Sequence, residues 1–375
     1  MWFSTFIFRN ISRRPLRSLL TVFAIAIAIG SVVAFVGIAN GFEHTFLSLY
    51  ENVEVDILVL RSGANERGKM VLPEEMTKDL RAIPGVKHVL PALMDMIDFS
   101  KYGVDTVLIN GFTPGSAVFN HMEMIKGENL EPNDGYVVII GPILASNINK
   151  KVGDKLDIMG KDYTIKGIYE AHNRFENAGM VVPLKVLQKE SAKEKQVTGF
   201  SLILDTPNDP ALVAKVQRDI ETKWKKIAAL SVREHVKSIA EINLAKSMAW
   251  ITSAIALVIG FFGILNTMVM SVSERTREIG ILRAVGWKVS RVIRMVLIEA
   301  VFLSILGALA GTLGAIGLLR LLTHMPRVNG FIDGRIDPLL IAYGFLIAIG
   351  VGLLAGLFPA NRAARMLPTE ALRHE

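Results

Sequence analysis

The sequence contains no cysteine. Disulfide bonds, thiolate metal sites, iron–sulfur clusters and cysteine nucleophiles are therefore excluded, and any functional site must be built from other side chains. Charged residues are scarce as well, at 21% of the 375 positions, whereas hydrophobic residues reach 51%. This composition is too apolar for an ordinary soluble protein and favours a chain that is embedded in a membrane.

Four stretches of the sequence are nearly free of charge and long enough to cross a bilayer. A helix needs about 20 apolar residues to span the hydrocarbon core. The pattern predicts transmembrane helices over residues 19–41, 248–272, 295–322 and 339–360. A cleaved signal peptide is the alternative for the first stretch, but its apolar run is longer than usual and lacks a clear cleavage site. An uncleaved membrane anchor is therefore favoured.

Basic residues are concentrated beside the ends of these spans. Residues 1–18, 273–294 and 361–375 together carry more positive charge than the whole chain, whose net charge is +7. Because basic flanks stay in the cytoplasm, we expect a multi-pass inner-membrane protein with both termini inside and with 42–247 and the short loop 323–338 outside. Residues 1–18 are expected to form a cytoplasmic membrane-surface helix. The basic excess reports topology and gives no reason to expect nucleic-acid binding.

The large exterior segment alternates strand-like and helix-like patterns. Runs rich in β-branched residues are separated by Gly, Pro, Asn and Asp turn signals. They predict an α/β extracytoplasmic domain over 42–247 in two lobes, with a β-rich insertion at about 105–197. Residues 41–50 can extend the first span, and the absence of Pro and Gly from 232–259 predicts a continuous helix into the second. The expected fold is a polytopic α-helical membrane protein with four transmembrane helices and this domain between helices 1 and 2.

Patterns that carry catalytic or metal chemistry are weak. Residues 63–69, GANERGK, fit GxxxxGK, but Met70 stands where a phosphate-binding loop needs Ser or Thr, so an exposed turn is favoured. The seven histidines show no HExxH spacing, and no Ser-His-Asp grouping stands out. His121 with Met122 and Met124 could hold a soft metal or haem, although a surface loop is the preferred interpretation. We expect no catalytic residue, no metal and no cofactor in this chain, and no enzyme activity of its own.

One carboxylate lies inside a predicted span. Glu299 is about one turn into the third span, where a charge is costly and can mark a proton or ion path. The favoured structural alternative is that Glu299 reaches toward the membrane surface or pairs with Arg291 or Arg294.

Glycines four residues apart occur in the last two spans. Gly307 and Gly311 form one GxxxG pair, Gly352 and Gly356 form another, and Gly314 lies on a neighbouring face. Small residues at this spacing permit close helix approach. Packing within the chain is favoured over a direct contact with a second copy.

The most specific pattern is the segment 271–294, SVSERTREIGILRAVGWKVSRVIR, between the second and third spans. A polar helix held between two membrane helices is a suitable lever, because a partner that presses on it moves both; a solvated loop is the alternative. The segment resembles the cytoplasmic loop of FtsX-like ABC transporter permeases, the group that contains MacB, LolC, LolE, DevC and FtsX. The pattern E-R-x-x-E-I-G-x-x-R-A-x-G is matched in register by Glu274, Arg275, Glu278, Ile279, Gly280, Arg283, Ala284 and Gly286.

The resemblance implies a permease subunit that dimerises and works with a separate ABC ATPase, which binds ATP and Mg. The loop would act as a coupling helix, and ATP binding would move the exterior domains, a mode called mechanotransmission. The residues that would face the ATPase are Glu274, Arg275, Arg277, Glu278, Arg283 and Gly286. A MacB-type exporter of a hydrophobic, peptide or lipid-like substrate, with a periplasmic adaptor and an outer-membrane duct, is the first hypothesis. A lipoprotein-release permease like LolC and LolE, a non-transporting receptor or regulator of a cell-wall hydrolase, and a haem or metal exporter are the alternatives.

Overall fold

The computed structural model describes residues 15–62, 71–207, 209–322 and 336–366. The chain divides into two compact units. The helical unit comprises Met1–Asn40, Leu244–Leu321 and Gly334–Glu375, and the α/β unit comprises Gly41–Asn243 and Leu322–Asp333. In chain order the elements are α1 (Pro15–Glu51), β1 (Ile57–Arg61), β2 (Leu72–Pro73), α2 (Met76–Arg81), β3 (Val86–Asp98), β4 (Thr106–Phe112), β5 (Glu123–Gly127), β6 (Val137–Ile140), α3 (Pro142–Asn147), β7 (Lys155–Ile158), β8 (Lys161–Glu170), α4 (Arg174–Asn177), β9 (Met180–Pro183), α5 (Leu184–Glu190), β10 (Gln196–Val197), β11 (Gly199–Leu204), α6 (Pro210–Lys223), β12 (Ile227–Ser231), α7 (Val232–Ser238), α8 (Ala240–Glu274), α9 (Thr276–Ala284), α10 (Val289–Leu322) and α11 (Pro338–Arg365).

Four of these helices, α1, α8, α10 and α11, are long and apolar enough to cross a membrane. The predicted fold class, four such helices with a large α/β domain between the first and second, is confirmed. Helix α11 begins after Asp337, whose carboxylate accepts a hydrogen bond from the Leu339 amide at 2.8 Å. A helix start needs such an acceptor because its first amides lack partners within the helix.

The helix bounds differ from the apolar stretches at several ends. Helix α1 continues to Glu51, and α11 continues to Arg365, so residues 361–365 of the expected tail are helical. The predicted membrane-surface helix over 1–18 lies outside the described residues up to position 14, and 15–18 belong to α1. The turn 63–69, most of the loop 323–338 and the tail from 367 onward also lie outside the described residues.

The prediction of a continuous helix over residues 232–259 is wrong, because the helix is interrupted at one residue. Helix α7 ends at Ser238, Ile239 takes an extended conformation with ψ of 108°, and α8 begins at Ala240. The side chain of Ile239 is 4% exposed and lies in a cluster with Ile242 of α8 and Phe46 of α1. Burial of this apolar side chain offsets the lost helical hydrogen bonds, an effect that Pro and Gly spacing could not predict.

The core of the α/β unit is one sheet of ten strands. Its order is β12-β1-β11-β3-β4-β9-β6-β8-β5, with β7 also paired to β8. Most pairs are antiparallel, whereas β4 with β9 and β6 with β8 are parallel. The sheet continues from β3 into the strands of residues 106–183, because β4 pairs with β3 over seven residues. The last strand of the predicted insertion, β10, pairs with β2 in a separate two-stranded sheet. Strands β4 to β9 of the predicted insertion therefore extend the ten-stranded sheet, and the division of the domain into two lobes stays a prediction.

Both faces of the central strands are buried. In β9, Met180 and Val182 face one apolar cluster and Val181 faces another. In β6, Val138 and Ile140 face the first cluster and Ile139 the second. A strand that is covered on both faces has apolar residues at consecutive positions. This explains the sequences MVV in β9 and VVII in β6.

A buried polar pair ties the short helix α4 to the turn before β5. The His121 Nε2 and Glu176 Oε1 atoms are 2.9 Å apart, and their side chains are 5% and 8% exposed. The Asn173 side-chain amide donates to Glu176 Oε2 at 2.6 Å. The pair uses the Nε2 atom of His121, and Met122 is buried in the apolar core. The expected surface loop at His121 is therefore an interior structural element.

We expect Glu176→Ala to destabilise this part of the α/β unit by about 3 kcal/mol, because removing one partner of a buried pair leaves the other without its main contact. The measurement is hydrogen exchange of the segment 173–179 in the purified full chain, which should lose protection. Glu123→Ala, at an exposed position on β5, is the matched control and should leave that protection unchanged. Equal protection in both variants would contradict a stabilising role of the pair.

Candidate functional site

The site is the short helix α9, which lies between the long helices α8 and α10. Helix α8 ends at Glu274, and Arg275 interrupts the helical path with φ of −106° and ψ of 16°. The Thr276 hydroxyl donates to the Ser273 carbonyl at 2.7 Å at this break. At the other end, Gly286 has φ of +95°, a left-handed conformation that glycine adopts without steric cost. The chain therefore turns at both ends of α9.

The inner face of α9 packs on the end of α11. Ile279 is 1% exposed and Gly280 is buried. Ile279 belongs to an apolar cluster that includes three alanines of α11, Ala360, Ala363 and Ala364. Small side chains let the two helices approach closely, so α9 is fixed against the helical unit rather than lying free as a solvated loop.

An ion pair joins the start of α9 to α10. The Arg275 Nη1 donates to Glu299 Oε2 at 3.1 Å, and its Nε donates to Glu278 Oε2 at 3.3 Å. The Arg275 and Glu299 side chains are 13% and 9% exposed. The two residues expected to pair with Glu299, Arg291 and Arg294, do not make this contact. Glu299 is paired, but the predicted partner is wrong, because the contact is made by Arg275 at the junction of α8 and α9.

The outer face of α9 is exposed and of mixed character. Arg277 and Glu278 are exposed there, and Glu274, the last residue of α8, is exposed beside them. Ile281 is 47% exposed and Val285 is 77% exposed, although both are apolar. Apolar side chains beside charges of both signs are typical of a protein docking surface. Ile281 and Val285 were not among the coupling residues that the family resemblance implies.

Two of the candidate residues shape the second turn. The Arg283 Nη1 donates to the Trp287 carbonyl at 2.8 Å, across Gly286. The Arg283 Nε is buried, and no hydrogen-bond partner for it is found among the described residues. Arg291 stacks over the Trp287 ring at 5.4 Å. Of the six predicted coupling residues, Arg275, Arg283 and Gly286 therefore hold the shape of the segment, while Glu274, Arg277 and Glu278 lie on its outer face.

The four predicted packing glycines lie between helices of this chain. A Cβ atom on Gly311 would come 2.9 Å from the Gly30 amide nitrogen and closer still to the Ala26 carbonyl of α1. Gly307 contacts Ile25 of α1 in the same way. In α11, the Gly352 position meets Ser304 of α10, and Gly356 meets Ala300, whose Cβ would be 2.9 Å away.

Helix packing within the chain, the favoured alternative for these glycines, accounts for all four positions. A direct dimer contact through them does not fit, because their open faces are already filled by neighbouring helices. A Cβ atom on Gly314, on the neighbouring face, would have no atom of the described residues within 4 Å.

Within the described residues no group of three His, Asp or Glu side chains is placed to hold a metal ion. The site comprises the exposed face of α9, an ion pair that connects its start to α10, and close contacts that connect α10 to α1 and α11.

Two family models match this sequence. A MacB-like periplasmic core domain matches residues 18–223, and an FtsX-like permease C-terminal domain matches residues 250–368. The chain is 25% identical over 402 residues to an ABC transporter permease of Methanocaldococcus jannaschii, covering 99% of this chain and 97% of that protein. It is 26% identical over 390 residues to the ABC transporter permease YknZ of Bacillus subtilis, covering 98% and 97%. It is 25% identical over 404 residues to the macrolide export ATP-binding/permease protein MacB of Wolinella succinogenes, covering 98% of this chain and 60% of that protein.

Proposed function

The chain belongs to the FtsX-like, MacB-type family of ABC transporter permeases, and from this premise we propose that it is a permease subunit driven by a separate ABC ATPase. The observation that carries the proposal is the outer face of α9, where Glu274, Arg277 and Glu278 surround the exposed Ile281 and Val285. A partner that binds this face presses on a helix fixed at both ends to membrane helices.

The ion pair explains how such a push would be transmitted. Arg275 lies at the junction of α8 and α9 and contacts Glu299, in the first half of α10. A displacement of α9 therefore acts on both long helices through a short, charge-assisted contact rather than through a flexible loop. Helices α1 and α8 each include residues of both units, which supports mechanotransmission to the α/β domain.

The remaining parts of the proposal follow the family. The partner ATPase binds ATP and Mg, so this chain needs no cofactor. The protein lies in the cytoplasmic membrane with both termini and α9 on the cytoplasmic side, consistent with the basic residues that flank the spans. Two copies form the permease. The likeness to MacB, a macrolide export protein, supports export of a hydrophobic, peptide or lipid-like substrate, with an adaptor and a duct as further partners.

The test is recruitment of the ATPase. The full chain, purified from its native membrane in mild detergent, should retain a stoichiometric ABC ATPase. Glu278→Lys reverses one charge on the outer face of α9, and we expect it to reduce ATPase retention about tenfold because any contact that the carboxylate makes with the partner is lost. Retention is measured by quantitative mass spectrometry of the purified material.

Glu194→Lys is the matched control, since Glu194 is exposed and lies in the α/β unit. This variant should retain the ATPase as the unchanged protein does. Normal retention by Glu278→Lys would contradict the assigned docking face. No ATPase on the unchanged protein, even with nucleotide trapped, would favour a receptor or regulator instead.

A further inference from the structure

An apolar groove runs along the first half of α10, away from the contacts described above. It has a volume of about 480 Å³ and is formed by one stripe of α10 together with Leu353 of α11. Five of its lining residues are apolar, and the two polar ones, Ser290 and Arg294, lie at the end where α10 begins. The lining residues on α10 are Ser290, Ile293, Arg294, Leu297, Ile298 and Val301.

The groove has the length of one bilayer leaflet. Ser290 and Val301 are 11 positions apart on a continuous helix, which corresponds to about 16 Å. Half of the hydrocarbon core is about 15 Å thick. A groove that begins at the first turn of a membrane helix and continues for the depth of one leaflet fits a single acyl chain that starts at the membrane surface.

The beginning of α10 carries an excess of positive charge. The positive charges are those of Lys288, Arg291 and Arg294. The sequence has no Asp or Glu between Glu278 and Glu299 that could neutralise them locally. The amino-terminal end of a helix is itself positive, so cations at this position are unfavourable unless an anion lies nearby. Glu299 is engaged with Arg275 on another face. Among the described residues no ion pair of Arg294 is found.

We propose that this groove binds an anionic phospholipid of the cytoplasmic leaflet. One acyl chain occupies the apolar stripe, and the phosphate lies at Arg294 and Ser290, near Lys288. The cytoplasmic leaflet is the one rich in anionic lipid, and basic residues just inside a span bind such headgroups. The inference rests on the membrane orientation given under the proposed function, but it does not require the ATPase. A lipid held there would stabilise the start of α10, directly after the α9 docking segment.

The test uses native mass spectrometry of the purified full chain, titrated in detergent with dioleoylphosphatidylglycerol or dioleoylphosphatidylcholine. We expect the unchanged protein to bind the anionic lipid about fivefold better than the zwitterionic one. Arg294→Gln should lower binding of the anionic lipid to the zwitterionic level. Ile298→Trp, which fills the groove, should lower binding of both lipids.

Two matched controls lie on the same helices. Arg362→Gln removes an exposed cation at the end of α11, and Leu313→Trp adds a large ring at a position of α10 that is 60% exposed and outside the groove. Both should bind lipid as the unchanged protein does. Thermal denaturation of each variant confirms that it is folded.

Three results would overturn the inference. The first is equal binding of the two lipids by the unchanged protein, and the second is undiminished anionic-lipid binding by Arg294→Gln. The third is a change of oligomeric state in Ile298→Trp without loss of lipid, which would show that the groove is a contact between copies. Loss of the ATPase in the recruitment experiment would leave these outcomes unaffected, so the two proposals fail separately.

Discussion

Gly311→Leu should separate α1 from α10 and cost about 3 kcal/mol or more of stability. The added side chain would meet backbone atoms, the Gly30 amide nitrogen and the Ala26 carbonyl, which cannot rotate away as a flexible side chain could. Gly30 makes the reciprocal contact, since a Cβ there would lie 3.0 Å from the Gly311 carbonyl oxygen. Only a displacement of one helix would relieve the overlap, and α1 also packs against Gly260 of α8.

The measurement is the yield of monodisperse protein together with its thermal denaturation in detergent. Gly314→Leu is the matched control, because it makes the same chemical change on α10 where no atom of the described residues lies within 4 Å of the added Cβ. We expect the control to remain within about 0.5 kcal/mol of the unchanged protein. Ala308, also on α10, would be a poor control position because it is fully buried, so a larger side chain would be destabilising there as well. Equal, small effects of the two leucines would show that α1 and α10 are not in close contact.

Glu299→Gln should cost about 2 kcal/mol and loosen α9 from α10. The amide keeps the shape of the carboxylate but removes the charge that Arg275 contacts at 3.1 Å, and hydrogen bonds to charged groups are worth about 1.5–3 kcal/mol. Arg275 keeps its contact with Glu278, so the loss should be smaller than that of a completely isolated buried charge. Thermal denaturation of the purified chain measures this loss of stability.

A double-mutant cycle with Arg275→Gln isolates the pair. If the two residues act through each other, the double variant should be more stable than the sum of the single losses predicts. Arg277→Gln, at an exposed position of α9, is the control and should change stability by less than about 0.5 kcal/mol. ATPase retention should survive Glu299→Gln, because no outer-face residue of α9 is altered. Additive losses would count against a direct pair.

These two variants and Glu278→Lys separate the functions of neighbouring residues. Glu278→Lys changes the partner surface and also removes the Glu278 contact of Arg275, Glu299→Gln changes the connection from that surface to α10, and Gly311→Leu changes the contact between α10 and α1. If all three variants lost function only because the protein became less stable, α9 would not act as a lever. A protein in which Glu278→Lys folds normally but loses the ATPase would support the division of roles drawn from the structure.

The sequence by itself determined the features that depend on local composition. The length of an uncharged run decides whether a helix can span a bilayer, so the four membrane helices could be predicted without tertiary information. The polar segment between the second and third spans, with its break at Gly286, was likewise visible because glycine marks a left-handed turn. The matching pattern from Glu274 to Gly286 indicated the family.

Only the tertiary structure decided which groups meet. Glu299 could pair with any nearby arginine on a helical wheel, but the fold brings Arg275 from another helix to 3.1 Å. The sheet forms because β4 pairs with β9 and β3 pairs with β11, and pairing between strands distant in sequence leaves no local signature. Ile239 breaks a helix because its side chain is buried beside α1. In each case the deciding energy comes from contacts between residues distant in sequence, which composition and periodicity do not encode.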